Sequence, residues 1–333
     1  MQPPTGCSIL DVMRSHRHVS VLGIALAALL ATGASQPAAL AGGRAPLPVA
    51  VLVVDAGDAA SPARHATLLT ELEHAGRADA RLAPIDIDRQ LALRAGEVPT
   101  EVISEARGLV RAGQALLAAH RAADALPRLE AGVHQLETAL VWAKKEELAS
   151  AQFALGAARA STGDPKAAGE TFLALLVWRP EHVADTSIEP GVVMPIWEAA
   201  RKKAAKLAGG SIEIESRPDG AMAYVDGRMV GFTPTTVEGL SVGGHYVTVR
   251  RPGWGKAVVP VTVSATSPVA VTATLERVTG QDAFEALASQ LAAERTSATS
   301  RAARELGAVL GADQIVLLVD PADRSGHGQL EAT

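Results

Sequence analysis

The sequence has few of the residue types that build cross-linked, metal-binding or nucleic-acid-binding proteins. Its 333 residues include one cysteine, Cys7, and aromatic residues make up 3% of the chain. A single cysteine can form neither an intrachain disulfide nor a multi-cysteine zinc site. The net charge is −5, so the chain lacks the excess of positive charge that binds nucleic acid. Its stability must come from apolar cores, for which an apolar content of 48% is ample.

Motifs for catalysis or metal binding are also missing. The nine histidines are scattered, and neither His65 nor His74 belongs to a His-Glu-x-x-His sequence. There is no Gly-x-Ser-x-Gly nucleophile elbow. The sequence Gly253–Lys256 lacks the first glycine of a phosphate-binding loop, so we interpret it as a hairpin. We therefore expect no enzyme, no catalytic residues, no metal site and no cofactor.

Four aspartates leave a weaker alternative open. Asp86 and Asp88 form an Asp-x-Asp sequence, and two carboxylates on one strand face could chelate a metal. A hydrolase or transferase using them needs a third acid or a histidine within ligand distance; otherwise they are solvated residues at a strand end. Asp55 and Asp320 each end an apolar run, where α/β proteins often place functional acids, although turn capping is the simpler interpretation.

The first 41 residues have the pattern of a secretory signal peptide. Arg14 and Arg17 precede the apolar stretch from Val19 to Ala31, which is followed by the small-residue sequence Ala39-Leu40-Ala41. A membrane-spanning helix needs about 20 apolar residues, which makes an uncleaved anchor the weaker interpretation. We expect cleavage after Ala41 and export to the periplasm or cell surface, with no integral membrane segment in the mature chain.

We predict a multidomain α+β fold. The predicted segments are the signal peptide (1–41), a small α/β unit (42–97), a helical repeat region (98–208), a β domain (209–276) and a C-terminal helix–helix–strand segment (277–333).

The two ends of the predicted mature chain have similar apolar runs. Residues 48–55 (PVAVLVVD) and 314–320 (QIVLLVD) suit strands buried on both faces. Residues 62–76 are predicted to be helical and 81–88 to form a second strand. We hypothesise that the two apolar runs pair in a single sheet; the alternative is a partial C-terminal domain.

The middle of the chain is predicted to be a stack of helices, near 101–120, 122–141, 146–161, 165–178 and 193–207. Residues 149–180 resemble a tetratricopeptide repeat, as shown by Leu155, Gly156, Ala168, Phe172 and Pro180. In such a repeat the small residues let two helices approach and the phenylalanine fills the seam.

The repeat pattern has departures as well as a fainter copy. Gln152 and Arg159 stand where the repeat expects aromatic residues. An earlier unit is indicated by Gly113, Ala125 and Leu129 at similar offsets. Two repeats are fewer than usual, so we expect the last helix to cap the stack.

The end of the helical region contains a predicted linker and two tryptophans. Residues 185–195 are predicted to be a proline-containing linker. Trp178 and Trp197 could be exposed anchors for a partner, but their helical spacing favours the core.

Beyond Gly209 the hydrophobic period changes from helical to alternating. Strands are predicted at 211–216, 222–225, 245–250, 257–263 and 269–275. Asp226-Gly227 is a strong hairpin turn, and Pro260 should lie on an edge strand or a bulge because it cannot donate to a ladder.

Residues 211–275 resemble a PEGA domain. The blocks that support the resemblance are Pro218–Ala221, Val225–Gly227, Gly231–Pro234, Leu240 with Gly243 ahead of the HYVTV strand, and Gly253-Trp254. The first block has Asp219 where the family has glutamate. The resemblance implies a small β sandwich of the kind found in bacterial envelope proteins, serving wall or surface association.

Two functions from different classes follow. The first is a non-enzymatic exported scaffold whose helical repeats bind an unidentified envelope protein while the PEGA-like module associates with the wall. The alternative is a carbohydrate- or peptidoglycan-binding protein whose helices are only a spacer, with Tyr224, Tyr246 and Trp254 as a sugar-stacking platform. An apolar concave patch on the helices favours the scaffold, and exposed aromatics on the β module favour the alternative.

Overall fold

The computed structural model describes residues 46–55, 82–293, 301–320 and 331–332. The chain divides into two compact units, Met1–Gln90 with Gly280–Thr333, and Leu91–Thr279. The predicted signal peptide (1–41) and the predicted helix over 62–76 lie outside the described residues. Within the described part of the chain, no helix is both long enough and apolar enough to cross a bilayer.

The first unit is built on a sheet with strand order β11-β10-β1-β2. Strands β1 and β10 pair in parallel, from Val49 opposite Gln314 to Asp55 opposite Asp320. The two apolar runs at the ends of the chain therefore lie side by side in one sheet, as hypothesised. The elements of this unit are β1 (Leu47–Asp55), β2 (Leu82–Pro84), α1 (Ile87–Arg94), α7 (Gln281–Ala293), α8 (Arg301–Leu310), β10 (Gln314–Asp320) and β11 (Glu331–Ala332), with α1 continuing past the unit boundary.

The strand predicted over 81–88 is shorter than expected. Strand β2 ends at Pro84, and α1 begins at Ile87. Asp86 lies just before the helix, where its Oδ1 accepts a hydrogen bond from the Arg89 N–H at 3.1 Å. Short acidic side chains stabilise helix N-termini in this way, because the first N–H groups of a helix have no intrahelical acceptor. The Asp-x-Asp sequence is therefore a helix start rather than a strand end.

Five helices form the first part of the second unit, and each boundary lies within three residues of its prediction. Consecutive helices pack against each other, and α4 also contacts α2 and α6, which are not its neighbours in sequence. The prediction of a linker over 185–195 is wrong in its second half, because α6 starts at Pro190. The helices are α2 (Thr100–Ala118), α3 (Ala122–Thr138), α4 (Lys145–Ser161), α5 (Pro165–Trp178) and α6 (Pro190–Ala204).

Two glycines allow the helices to approach closely. A Cβ at Gly156 would overlap the ring of Phe172, and a Cβ at Gly113 would lie 2.5 Å from Leu129 Cγ. Both contacts join the two helices of a hairpin, α4–α5 and α2–α3. The packing reason given for the repeat resemblance is thus present in both hairpins; membership of the repeat family itself stays a prediction.

Polar residues replace the expected aromatics of the repeat. The side-chain amide of Gln152 donates to Glu137 at 3.0 Å and its oxygen accepts from the Trp178 indole N–H at 3.1 Å. Arg159 donates to Thr171 at 2.7 Å and to Glu130 at 3.0 Å. These hydrogen bonds join neighbouring helices at positions where the repeat would use ring packing.

The β module of the second unit is a sandwich of two sheets, with strand orders β6-β3-β9 and β5-β4-β7-β8. Inward-facing residues such as Ile212, Ile214, Val247 and Val271 form its core. Pro260 lies in the edge strand β8, as expected for a residue without an N–H donor. The strands are β3 (Gly209–Arg217), β4 (Met222–Val225), β5 (Arg228–Phe232), β6 (Thr235–Ser241), β7 (Gly243–Arg250), β8 (Ala257–Val263) and β9 (Val269–Thr274).

Strands β5 and β6 are absent from the sequence predictions. Asp226 and Gly227 form the β4–β5 turn with φ values of 54° and 90°, which fits the predicted hairpin. Strand β5 lies at a sheet edge and has no buried residue to give an alternating pattern. The turn was therefore readable from the sequence, but the short strand after it was not.

Candidate functional site

The sheet β5-β4-β7-β8 has two different faces. Ala223, Val247 and Val249 point into the sandwich core. Because successive side chains of a strand alternate, Tyr246 and Thr248 lie on the opposite, outer face.

The outer face is covered by the helical stack of the same unit. The indole of Trp178, at the end of α5, meets the Tyr246 ring edge-on with centroids 5.2 Å apart. Tyr246 and Val258 pack against the core of the helices. A Cβ at Gly243 would lie 3.1 Å from the Val177 side chain, so glycine is needed there for the close approach. The helical stack and the β module therefore pack as one body through this face, which we call the junction.

A half-buried lysine lies within the junction. Lys145, the first residue of α4, donates from Nζ to Thr248 Oγ1 at 2.9 Å. Burial lowers the pKa of Lys145 to about 8; the nearby Asp226 carboxylate opposes that shift, and Lys256 adds to it. The same burial raises the pKa of the Tyr246 phenol. The junction thus holds a half-buried ammonium group and a half-buried phenol.

His245, unlike Lys145, is fully buried, and it lies between two hydrogen-bond acceptors. Its Nδ1 is 2.6 Å from Asp226 Oδ2 and its Nε2 is 2.7 Å from the Ser241 carbonyl oxygen. A carboxylate and a carbonyl only accept hydrogen bonds, so both contacts are satisfied only by the doubly protonated imidazolium. Burial works to lower the pKa of His245, but the hydrogen bonds to Asp226 and Ser241 together raise it.

Asp226 connects the histidine to the junction. Its Oδ1 accepts the Tyr246 backbone N–H at 2.9 Å while Oδ2 faces His245, and its charge acts on Lys145. One carboxylate therefore holds the turn, and it stabilises the charge of both the buried histidine and the half-buried lysine.

Sequence reasoning missed both the half-buried Lys145 and the buried His245. His245 has the same strand parity as Val247 and Val249, and that alternation was a usable signal that it faces inward. Lys145 had no such signal, because it lies in the charged run Lys144–Glu147 at a helix start. Only its hydrogen bond to Thr248 in β7 distinguishes it from the exposed Lys144.

The three aromatics proposed as a sugar platform do not come together. Tyr246 lies under the helices, and Tyr224 is half-buried with its hydroxyl 3.5 Å from Met222 Sδ. Trp254 lies in the β7–β8 loop, with the guanidinium of Arg251 5.9 Å and that of Arg277 5.5 Å from its ring centroid. Trp254 alone of the three remains outside the junction.

The segment after α5 covers part of the surface of the helical stack. Residues 179–189 run along α4: Arg179 pairs with Glu146 at 3.1 Å, and the His182 and Phe153 ring centroids lie 5.6 Å apart. Trp178 and Trp197 are each 3% exposed, so both belong to the core, as their spacing favoured. The exposed large apolar residues of the described helical region are Val102, Val183 and Val192.

The described residues contain no group of three or more His, Cys, Asp or Glu side chains placed to hold a metal ion. Asp86 caps α1, Asp88 lies in its first turn, and His65 and His74 lie outside the described residues. Asp55 and Asp320 occupy paired register positions at the ends of β1 and β10.

The comparison with protein families gives one match. Residues 209–279 match the PEGA domain, a span that contains all seven strands of the β module and confirms the resemblance. A comparison with curated proteins finds no match. The chain therefore contains a PEGA domain, and this domain packs against a helical stack.

Proposed function

We propose that this protein is an exported scaffold of the bacterial cell envelope, without catalytic activity, in which a PEGA module on the wall positions a helical stack for a protein partner. The PEGA domain and the pattern of residues 1–41 support export to the periplasm or cell surface.

The junction is the observation that supports this function best. Trp178, Lys145 and Val177 hold the outer face of the sheet against the helices. A helical stack that only spaced the module from another domain would need no such contacts. Because the two parts pack as one body, attachment of the module also sets the position of the stack.

The first test is sedimentation of the purified chain from Gly42 onward with isolated bacterial cell-wall sacculi. The proposal expects the chain to pellet with sacculi and to stay soluble without them. A chain that remains in the supernatant at every sacculus concentration contradicts wall association. Deleting the whole module is a poor control, since it would expose Trp178 and Lys145, which its outer face buries.

The second test concerns the protein partner. The chain bound to sacculi is incubated with detergent-solubilised envelope extract, washed, and analysed by mass spectrometry. The test variant is Val183→Asp with Val192→Asp, which adds charge at two exposed apolar positions of the helical region, and the unchanged chain is its control. The scaffold proposal expects a protein retained by the unchanged chain and lost from the variant; recovery of the same proteins with both contradicts it.

A further inference from the structure

Helix α6 has two faces of different character. Its inner face buries Val193, Trp197 and Ala200 in the core of the helical stack. At about 100° per residue, a set of exposed residues falls within a sector of about 100° on the other side of the helix. These residues are Val192, Pro195, Ala199, Lys202, Lys203 and Lys206, and we call them the outer stripe.

The outer stripe is apolar in its first half and cationic in its second. Val192 is 46% exposed at the start of the helix. The Lys206 N–H donates to the Lys203 carbonyl at 3.1 Å, so the last helical turn extends to Lys206. Three of the seven lysines of the chain therefore lie on one turn. At a rise of about 1.5 Å per residue, Lys202 is about 15 Å along the helix axis from Val192.

The three ammonium groups of the outer stripe have neither a hydrogen bond nor an ion pair within the part of the chain that the structure describes. The nearest acid in the sequence, Glu198, pairs with Arg201 at 2.8 Å, and residues 199–212 contain no aspartate or glutamate. The helix dipole favours a cation in the last turn, but Lys202 and Lys206 repel each other at a spacing of four residues. The dipole therefore accounts for one of these cations better than for all three.

We propose that the outer stripe of α6 binds an acidic segment of the protein partner. The carboxylates of that segment pair with the three lysines, and an apolar side chain of the segment, about 15 Å away, lies on Val192. This inference rests on the proposed function and identifies the surface and the chemistry of the partner.

The two halves of the outer stripe together select a protein segment. A phosphate polymer would pair with the lysines but has no apolar group to bury against Val192 and Ala199. A helix that enters a bilayer surface uses Trp, Phe or Leu on its apolar face, whereas the outer stripe has only valine, proline and alanine there. A protein segment can carry acidic and apolar side chains at a fixed separation, and its carboxylates complement the unpaired charge.

The test uses a synthetic helical peptide with leucines in its first turn and glutamates about 15 Å away, and a matched peptide with glutamine at the glutamate positions. Binding to the chain from Gly42 onward is measured by fluorescence anisotropy. The triple variant Lys202→Gln, Lys203→Gln and Lys206→Gln should bind the acidic peptide about tenfold more weakly, because three exposed ion pairs are lost together. The glutamine peptide should bind the variant and the unchanged chain alike.

The matched control removes the same charge from scattered positions of the helical stack. It carries Arg111→Gln, Lys144→Gln and Lys166→Gln, three exposed cations outside α6. The control should bind the acidic peptide within about twofold of the unchanged chain. Thermal unfolding of both triple variants shows whether the fold is kept. Equal weakening in the two variants would show general charge attraction and overturn the site, as would failure of the unchanged chain to bind the acidic peptide.

Two other anions test the class of partner. Vesicles of phosphatidylglycerol and inorganic polyphosphate are measured with the same three chains. Lysine-dependent binding to either that is tighter than binding to the acidic peptide would overturn the assignment to a protein segment.

Retention of an envelope protein by the chain on sacculi separates this inference from the proposed function. A protein retained by the unchanged chain and by the control, but lost from the lysine variant, supports both. A protein retained equally by all three chains would leave the scaffold function standing and overturn this site. If no protein is retained by the unchanged chain, the proposed function falls, and this inference falls with it.

Discussion

The two helical hairpins use the same packing device in different surroundings. In α2–α3, Gly113 faces Leu129, and in α4–α5, Gly156 faces Phe172. In both hairpins the glycine precedes its large partner by the same spacing. The second hairpin, however, also buries an aromatic cluster and supplies Lys145 and Trp178 to the junction.

The difference shows that the repeat pattern determines how closely the two helices of a hairpin pack. The elements next to the hairpin determine which further contacts it makes. Helix α4 is buried along most of its length, since α2, α3, α5 and α6 all contact it. Helix α2 buries only one stripe. Substitutions in α4–α5 should therefore affect both the stack and the β module, and those in α2–α3 only the stack.

The largest effect is expected for Trp178→Ala. It removes a 3%-exposed indole from the core and should cost about 3–5 kcal/mol of unfolding free energy. It should also lower the pKa of Tyr246, because it admits water to that ring, as measured by ultraviolet titration of the phenol. The control Trp197→Ala removes an equally buried indole from α6 and should cost as much without changing the Tyr246 titration. A Tyr246 shift of the same size in both variants would contradict the junction.

The two glycines provide the direct comparison. Gly156→Ala should destabilise the protein by about 3 kcal/mol, because the added methyl overlaps a phenylalanine ring held between Phe153 and Trp197. Gly113→Ala should cost about 1 kcal/mol, because the Leu129 side chain can change rotamer. Urea unfolding of both variants measures the difference; equal or reversed losses would mean that the aromatic cluster is not rigid.

The half-buried Lys145 should affect stability in alkaline solution. The pKa of Lys145 is about 8 in the folded chain against 10.5 for a free lysine, so the unfolded chain binds more protons between these values. Stability should therefore rise with pH across that window, by about 2 kcal/mol after allowance for partial exposure. Lys145→Met should abolish this rise, and Lys144→Met, at the adjacent exposed lysine, should keep it. Unfolding free energies measured between pH 7 and about pH 10.5 decide the matter.

The second pH-dependent effect concerns His245, and its sign is opposite to that of Lys145. Its pKa is raised in the folded chain, so the folded chain binds more protons above about pH 6.5. The stabilisation is complete below that pH and is lost as pH rises through the folded pKa. His245→Gln should remove this decline and cost about 1–2 kcal/mol at pH 6. If the unfolding free energy of the variant fell with pH as it does in the unchanged chain, another titratable group would be responsible.

Local signals in the sequence were sufficient for much of the fold. The helices of the stack were placed within three residues because each has an apolar stripe and a clear stop. Gly156 and Phe172 were recognisable as packing partners from their offset. The prediction failed where the sequence of a short segment suits two structures. Asp86–Asp88 was predicted to end a strand, and it forms the start of a helix instead.

The sequence by itself determined the five helices of the stack, five of the seven strands of the β module, and that a PEGA domain begins near Gly209. Only the tertiary structure decided that β1 pairs with β10 and that the outer face of the β module lies against α5 and Lys145. The reason is the separation of the contacting residues along the sequence. Helix periodicity, turns and strand alternation depend on residues only a few positions apart. The contact between Lys145 and Thr248 joins residues 103 positions apart, and no local pattern specifies it.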